Sequence, residues 1–189
     1  PVLKAMSDAA TPQGSVAVAG IPSVGIADVA GPLDLVLVLA AVRDPGNAGT
    51  LVRSAVAAGA GAVVFTDESV DPFGPKTVRA SAGTIFLVPV VPAPSLAAVV
   101  EELHDRGLTV LGASASAPRA AQETDLTDPV ALVLGNEAWG IPAVSRHLLD
   151  GEVGIAMPGP AESLNVGMAG SILLFEAVRQ RRLESASDA

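Results

Sequence analysis

The stretch LDLVLVLAAVRDPGNAGTLVRSA (33–55) decides the fold class. Its first part, 33–42, is a nearly continuous apolar run, typical of a strand buried on both faces of a parallel sheet. A short loop containing proline and glycine follows. We then expect a helix over 47–59, capped by Asn47 at its N-terminus and closed by Gly59. Strand, loop and helix in this order predict an α/β unit.

The same alternation continues along the chain. Further strands are predicted over 62–66, 85–90, 108–114, 129–135 and 152–157, and helices over 95–107 and 163–182, with shorter helices within 67–84 and before Leu149. This pattern predicts an α/β fold with a mainly parallel sheet flanked by helices. The first 32 residues are rich in Ala, Pro, Gly and Ser, so we interpret 1–32 as a linker or remnant and 33–189 as one domain.

Composition excludes several kinds of site. Half of the 189 residues are hydrophobic but only 3% are aromatic, which favours small-residue packing between helices and sheet. The chain has no cysteine, so disulfides and Cys-ligated metals are excluded. His104 and His147 lack metal-ligand spacing, and we expect no metal. No apolar run reaches the roughly 20 residues that cross a bilayer, so we expect no membrane span and a cytoplasmic location.

Charge argues against binding nucleic acid by bulk attraction. The formal net charge is −9, and the sequence pI is about 4.5. Nine of the eleven basic residues are arginines, however, and arginine suits bidentate contacts with phosphate. A local arginine patch therefore stays open as an RNA contact.

The first motif, DPGNAGTLVRSA (44–55), resembles a phosphate loop at a helix N-terminus. It lacks the G-x-G-x-x-G spacing of dinucleotide sites and the Gly-Lys-Ser/Thr of P-loops. Arg53 lies off the apolar face of the predicted helix. Taken alone, Arg53 is better explained as an ordinary exposed arginine than as a functional residue.

The second motif, LVLGNEAWGIP (132–142), places Glu137 just past a buried strand, between Gly135 and Gly140. Ligands bind at this edge of open α/β sheets, and glycines let the backbone approach them. The alternative is a turn whose glutamate caps the next short helix.

The third motif, IAMPGPAESLNVGMAGS (155–171), leads from a strand into the last helix. Helix capping explains Ser163. It explains Asn165 less well, because this polar residue lies in an apolar stretch, so we expect Asn165 to have a specific partner.

The last helix is apolar on most sides rather than along one stripe. The sheet can cover only one face of it, and the other needs a second element or protomer. This pattern predicts a homodimer.

In their order and spacing, the three motifs resemble those of the TrmH/SpoU-type RNA ribose 2′-O-methyltransferases of the SPOUT superfamily. The resemblance covers about 33–182, and 75–90 is similar to the connecting segment of that family. It implies a C-terminal deep trefoil knot, an RNA substrate with rRNA favoured over tRNA, and a dimer through the last helix. Many members also carry an N-terminal RNA-binding domain, so the chain is either a minimal member or the catalytic part of a longer protein, with 1–32 as a linker or a remnant of that domain.

The resemblance further implies where the cofactor, S-adenosylmethionine (AdoMet), is held. The cofactor-binding positions are Leu134, Gly135, Glu137, Gly140, Ile155, Met157 and Leu164. The catalytic, RNA-facing positions are Asn47, Arg53, Glu137, Ser163 and Asn165. Gly167 departs from the family pattern, where a small hydroxyl residue is expected, and we expect only a packing change there.

The reaction needs a ribose 2′-oxygen aligned with the methyl–sulfur bond. Guanidinium normally stays protonated, so we expect Arg53 to anchor a phosphate and stabilise alkoxide charge rather than act as a base. Two alternatives stay open: a non-catalytic RNA- or AdoMet-binding module, and a dehydrogenase domain that binds NAD.

Overall fold

The computed structural model describes residues 17–187. The strands are β1 (Leu35–Leu39), β2 (Ala62–Thr66), β3 (Val90–Ala93), β4 (Thr109–Ala113), β5 (Val130–Leu134) and β6 (Gly151–Val153). The helices are α1 (Pro45–Ala57), α2 (Pro75–Ala80), α3 (Leu96–Asp105), α4 (Ala143–Arg146) and α5 (Val166–Ser187). Short 3-10 turns lie at Ile26–Asp28, Thr84–Phe86 and Ala121–Glu123.

The six strands form one sheet in the order β3-β2-β1-β5-β4-β6, and every pairing is parallel. This confirms the predicted α/β fold with a mainly parallel sheet. From β1 the chain adds β2 and β3 on one side of the sheet. It then crosses to the other side, where β4, β5 and β6 lie and β5 pairs with β1. Strand order therefore reverses at β1 and β5. Ligand sites in open parallel sheets lie beyond the carboxyl ends of the strands at such a point.

Alternate side chains of β1 enter two different cores, because successive residues of a strand point to opposite faces. Leu35, Leu37 and Leu39 pack in one core with α1 and α5. Val36 and Val38 pack in the other with α3 and the segment before β1. All five β1 side chains are buried, as the continuous apolar run predicted.

Helix α5 lies close to both β5 and α1. A Cβ on Gly170 would overlap the ends of the Leu134 and Leu51 side chains, so a larger residue would require both leucines to shift. Two serine hydroxyls, on Ser54 and Ser171, are 2.6 Å apart across the same helix pair.

The second half of α5 is fixed to the connection between β4 and β5. The Gln180 side chain donates to the carbonyls of Ala121 and Thr124 and accepts from the Leu126 amide. On the same helix, two hydrogen bonds from Arg179 hold the pKa of Glu176 below its usual range, against the effect of burial. These contacts join the end of the helix to residues 121–126.

The predicted cap of α1 is wrong. The helix begins at Pro45, and Asp44 is its N-cap, with the Asp44 carboxylate accepting from the Asn47 amide at 2.7 Å. A proline at the first helical position needs no N–H partner, so Pro45 starts the helix instead of preceding it. The Asn47 side chain is thereby left available for contacts outside the helix.

The predicted strand over 85–90 is also wrong. Ile85 lies in a 3-10 turn that follows the left-handed residues Ala82 and Gly83, and β3 begins only at Val90. The run is split because its middle residues, Phe86 and Leu87, are exposed and do not join the sheet.

The last strand and helix are displaced from their predicted bounds. Strand β6 stops at Val153 rather than reaching Met157, and α5 begins at Val166 rather than Ser163. Residues 154–165 therefore form a long connection between them.

The packed part of the chain begins before residue 33. Ile26 and Val29 are buried against α3, and Arg106 donates to the carbonyls of Ile26, Ala27 and Val29. The division into 1–32 and 33–189 stays a prediction, and residues 1–16 lie outside the described part. Within residues 17–187, no helix has the length and hydropathy to span a membrane.

Candidate active site

A cavity of about 550 Å³ lies beyond the carboxyl ends of β4, β5 and β6, next to the start of α5. Its walls come from the residues after β4, the second motif and the third motif. All seven predicted cofactor positions line it: Leu134, Gly135, Glu137, Gly140, Ile155, Met157 and Leu164. Ile155 and Met157 reach the cavity because β6 ends early and frees the chain to turn inward.

The second motif forms a tight loop at one wall. The amides and carbonyls of Asn136 and Gly140 bond reciprocally, at 3.0 and 2.9 Å. Gly140 has a φ of 69°, which glycine adopts without strain. A Cβ on Gly135 would overlap the backbone of Gly140 and Ile141. Both glycines are therefore required by the loop geometry itself.

Asn136 holds this loop against the end of β1, although sequence analysis did not identify it. Its buried side-chain amide donates to the Ala41 carbonyl at 2.9 Å and accepts from the Ala138 amide at 2.8 Å. Ala41 has a φ of 62°, a left-handed conformation that costs a non-glycine residue about 1–2 kcal/mol. The only sequence signal was an asparagine directly after an apolar strand.

Glu137 joins the second motif to the first. Its carboxylate lies 3.3 Å from the Asp44 amide, 3.5 Å from the Arg43 amide and 3.1 Å from the Asn47 side-chain nitrogen, and it accepts from all three. The alternative that Glu137 caps the following short helix is wrong, since α4 begins with Pro142 as N-cap and no side-chain cap.

Asn47 continues the connection into the third motif. Its side-chain oxygen accepts from the Asn165 amide nitrogen at 2.9 Å. The Asn165 oxygen accepts from the amides of Gly167 and Met168, so Asn165 caps α5. The expectation that Asn165 has a specific partner is confirmed. Ser163 lies outside the helix and lines the cavity instead.

Arg53 lies apart from this network. It is exposed on α1, six residues after Asn47, and is not among the residues that line the cavity. The structure thus brings together Asn47, Glu137 and Asn165 and places Ser163 at the cavity wall. Any role for Arg53 requires a substrate that extends from the cavity to α1.

Several cavity residues were missed by sequence analysis. Ser114 and Ser116 follow β4 at the carboxyl edge of the sheet, and Arg146 reaches the cavity from α4. Only their positions could have indicated them: Ser114 and Ser116 follow a strand, and Arg146 ends a helix, near the edge of the sheet where ligands were expected. In residues 17–187, no cluster of three His, Asp or Glu side chains could hold a metal ion.

Trp139 also lines the cavity, at its exposed side. The Arg43 guanidinium carbon lies 5.2 Å from the centroid of the indole, within the range of a cation–π contact. This contact links the second motif to the residue directly before the first motif.

Comparison with known proteins agrees with this geometry. The chain is 41% identical over 157 residues to 23S rRNA (guanosine-2′-O-)-methyltransferase RlmB of Xanthomonas axonopodis pv. citri, covering 83% of this chain and 63% of that protein. It is 37% identical over 171 residues to 23S rRNA (guanosine(2553)-2′-O)-methyltransferase RlmP of Bacillus subtilis, covering 90% and 67%. The chain thus spans less than two thirds of the RlmB relative.

A solved structure shares the fold. The SpoU methyltransferase AviRb from Streptomyces viridochromogenes, in complex with AdoMet, aligns with a TM-score of 0.79 at 33% identity, over 86% of this chain and 67% of that one. The model of the SpoU rRNA Methylase family matches residues 34–175, which include all three motifs. The resemblance found in the motifs is confirmed, and the chain belongs to the SpoU rRNA methylase family.

Proposed function

We propose that this chain transfers a methyl group from AdoMet to a ribose 2′-hydroxyl of structured RNA, with 23S rRNA favoured over tRNA. One observation carries the proposal: hydrogen bonds link Asn47, Glu137 and Asn165, one residue from each motif, beside a cavity at the reversal point of the sheet. The two rRNA methyltransferase relatives support the same substrate class.

The cavity suits a cofactor of the size and chemistry of AdoMet. Its volume of about 550 Å³ falls within the usual range for small-molecule sites, about 300–1,000 Å³. The side chains of Leu134, Ile155, Met157 and Leu164 offer apolar surface for an adenine ring. Glu137 and the backbone around Gly135 and Gly140 offer polar groups for the amino and ribose groups. We propose these seven positions as the cofactor site.

When bound, AdoMet supplies a methyl group already activated by its sulfonium. The work of the protein is then to align the ribose oxygen and to exclude competing geometries, which can supply several kcal/mol of the barrier. The links among Asn47, Glu137 and Asn165 fix the starts of α1 and α5 relative to the cavity. Ser163 lines the cavity, so its hydroxyl can contact a substrate bound there.

Arg53 is proposed to act on the RNA. As the oxygen–methyl bond forms and the sulfur–methyl bond breaks, the hydroxyl proton must leave to solvent or another acceptor. The guanidinium stays protonated, so it can anchor the neighbouring phosphate and stabilise negative charge on the oxygen. Its exposed place on α1 leaves it accessible to a phosphate.

The test is methyl transfer from labelled AdoMet to unmodified 23S rRNA, followed by mapping of 2′-O-methyl sites. Arg53→Lys is expected to lose most of the activity while AdoMet binding, measured by calorimetry, is unchanged. Lysine keeps the charge but not the planar fork. Retention of most activity would exclude a role for the fork geometry. AdoMet binding without methyl transfer by the wild type would instead favour the non-catalytic module, and NAD binding would favour the dehydrogenase.

We also propose that the chain forms a homodimer through α5. Met168, Ile172 and Phe175 recur at helical spacing on one side of α5 and are 57%, 38% and 49% exposed. Exposed apolar residues arranged as one stripe favour a protein contact. A second copy of the same helix can cover the stripe, because a twofold interface uses the same patch on both subunits.

We further propose that the C-terminal part of the chain is threaded as a trefoil knot. The connection 154–165 returns from β6, at the edge of the sheet, to α5 beside β5 at its centre. The end of α5 bonds to residues 121–126, part of the earlier connection between β4 and β5. A crystal structure in which 154–165 does not pass through the loop formed by 114–129 would exclude the knot.

A further inference from the structure

Trp139 is unusual in its position and exposure. It is the one tryptophan in the chain, which has no tyrosine. Its side chain lines the cavity, yet 52% of it is exposed. An indole at the rim of a cavity presents a flat face to whatever extends out of that cavity. The aromatic surface is thus available to a substrate.

Hydrogen bonds fix the backbone loop that carries the indole. Trp139 lies in the loop that the reciprocal Asn136–Gly140 bonds close, and Asn136 fastens that loop to Ala41. The backbone that carries the indole is therefore ordered before a ligand binds, so binding costs less backbone entropy.

Arg43 lies over one face of the indole. Its guanidinium carbon lies 5.2 Å from the ring centroid, and its backbone amide donates to Glu137. Among residues 17–187 it has no carboxylate partner at ion-pair distance. Its charge is therefore available to an anionic ligand. A planar aromatic ring next to a planar cation matches the chemistry of a nucleotide, which has a flat base and an anionic phosphate.

We propose that Trp139 and Arg43 form a stacking site for an unpaired base of the RNA substrate, adjacent to the ribose that is methylated. The proposal rests on the proposed RNA methyl transfer. Sequence-specific RNA recognition uses unstacked bases laid on aromatic rings and arginine planes. Such stacking is worth about 1–3 kcal/mol per base.

Charge favours a short-range contact of this kind. A chain with a formal net charge of −9 does not attract a polyanion at long range. Affinity for RNA must then come from contacts made at the surface itself. Stacking on Trp139 supplies such affinity without adding net positive charge to the chain.

The single tryptophan makes the test direct. Fluorescence excited at the red edge of indole absorption reports Trp139 alone, because Trp139 is the one tryptophan of the chain. Unmodified 23S rRNA, added with S-adenosylhomocysteine at saturation, is expected to quench this emission. S-adenosylhomocysteine alone is expected to leave most of the Trp139 emission unquenched. Full quenching by S-adenosylhomocysteine with no further change on adding RNA would overturn the proposal, since Trp139 would then cover the cofactor.

Steady-state kinetics of Trp139 variants provide a second test of the stacking site. Trp139→Ala is expected to lower kcat/KM for rRNA about 5- to 150-fold, which corresponds to about 1–3 kcal/mol of stacking. Trp139→Phe is expected to recover most of this loss, and the AdoMet Kd is expected to stay unchanged. Phe86→Ala is the matched control, because Phe86 is an exposed aromatic that does not line the cavity.

Each other outcome is decisive. An rRNA kcat/KM that Trp139→Ala leaves unchanged overturns the stacking site while the methyltransferase stands. Dissociation of a dimer by Trp139→Ala, seen by sedimentation, also overturns it, because the indole would then be a subunit contact. Quenching by RNA in a wild-type protein that transfers no methyl group would support stacking and refute the proposed function.

Discussion

The carboxylate of Glu137 determines the direction of a chain of hydrogen bonds. A carboxylate only accepts, so Asn47 must turn its NH₂ group toward Glu137 and its oxygen toward Asn165. Asn165 must then donate to Asn47 and offer its own oxygen to the first turn of α5. Glu137 thus fixes the orientation of the Asn47 and Asn165 side chains, and in that orientation Asn165 caps α5.

Replacing that carboxylate by an amide is expected to reduce activity. In Glu137→Gln, one of the two oxygens becomes a donor and faces the amides of Arg43 and Asp44 or the NH₂ group of Asn47. We expect kcat/KM for rRNA to fall about tenfold, the equivalent of roughly 1.4 kcal/mol in the barrier. Labelled methyl transfer measures it.

Glu162→Gln provides the control for this substitution. Glu162 is a second carboxylate at the same cavity, with no hydrogen-bond partner within residues 17–187. Its replacement is expected to change kcat/KM less than twofold, a difference of about 0.4 kcal/mol. Equal losses in the two variants would mean that cavity charge, and not the link to Asn47, accounts for the effect.

Sequence reasoning at this scale succeeded where a residue conflicted with its surroundings. Asn165 conflicts with an apolar stretch, so its need for a partner was predictable. The partner was not, because Asn47 is 118 residues away in sequence. Asp44 was overlooked as a cap because Pro45 and Gly46 were interpreted as a loop, whereas proline is well suited to begin a helix.

At the scale of elements, the second motif depends on two backbone segments in contact. Gly135→Ala would place a methyl group onto the backbone of Gly140 and Ile141, and backbone cannot move aside as a side chain can. We expect AdoMet affinity to fall by at least tenfold, because the loop that lines the cavity must shift. Calorimetric titration with AdoMet measures this, with circular dichroism to confirm folding.

Gly159→Ala is the matched substitution. Gly159 lies in the connection 154–165, has an ordinary φ, and a Cβ there would meet nothing within 4 Å. It is expected to bind AdoMet as the wild type does. Comparable loss in both variants would contradict the argument from backbone contact.

Most elements could be predicted because their patterns are strong. Strands β2 and β5 and helix α3 were predicted within about two residues. The errors occurred where one apolar run serves two purposes. Residues 85–88 divide between a turn and the approach to β3, and Ile155 and Met157 leave the sheet to line the cavity. Hydrophobicity alone does not distinguish a strand from a cavity wall.

At the scale of the whole molecule, the exposed stripe on α5 predicts the oligomeric state. Phe175→Asp would place a charge in the centre of an apolar interface, and a buried unpaired charge is strongly destabilising. We expect the wild type to sediment as a dimer at micromolar concentration and Phe175→Asp as a monomer. Leu87→Asp, at an exposed apolar residue away from α5, is expected to stay dimeric. A monomeric wild type would refute the interface.

The strand order was beyond sequence reasoning. Periodicity identifies which segments are strands, but it does not show that β5 lies beside β1, since that pairing joins distant parts of the chain. The resemblance of the motifs supplied the fold family that local patterns could not. The cavity was equally hidden, because its walls come from residues after β4, β5 and β6, which are far apart in sequence.

The place of β5 has a consequence for protein synthesis. Ala41 and Asn136, whose hydrogen bond holds the second motif against the end of β1, are separated by 95 residues. At about 5–20 residues per second, the ribosome completes β1 roughly 5–20 s before β5. During that interval β2 can cover one edge of β1, while the other edge has no native partner. The hydrogen bonds that hold the second motif against β1 can therefore form only after β5 has been made.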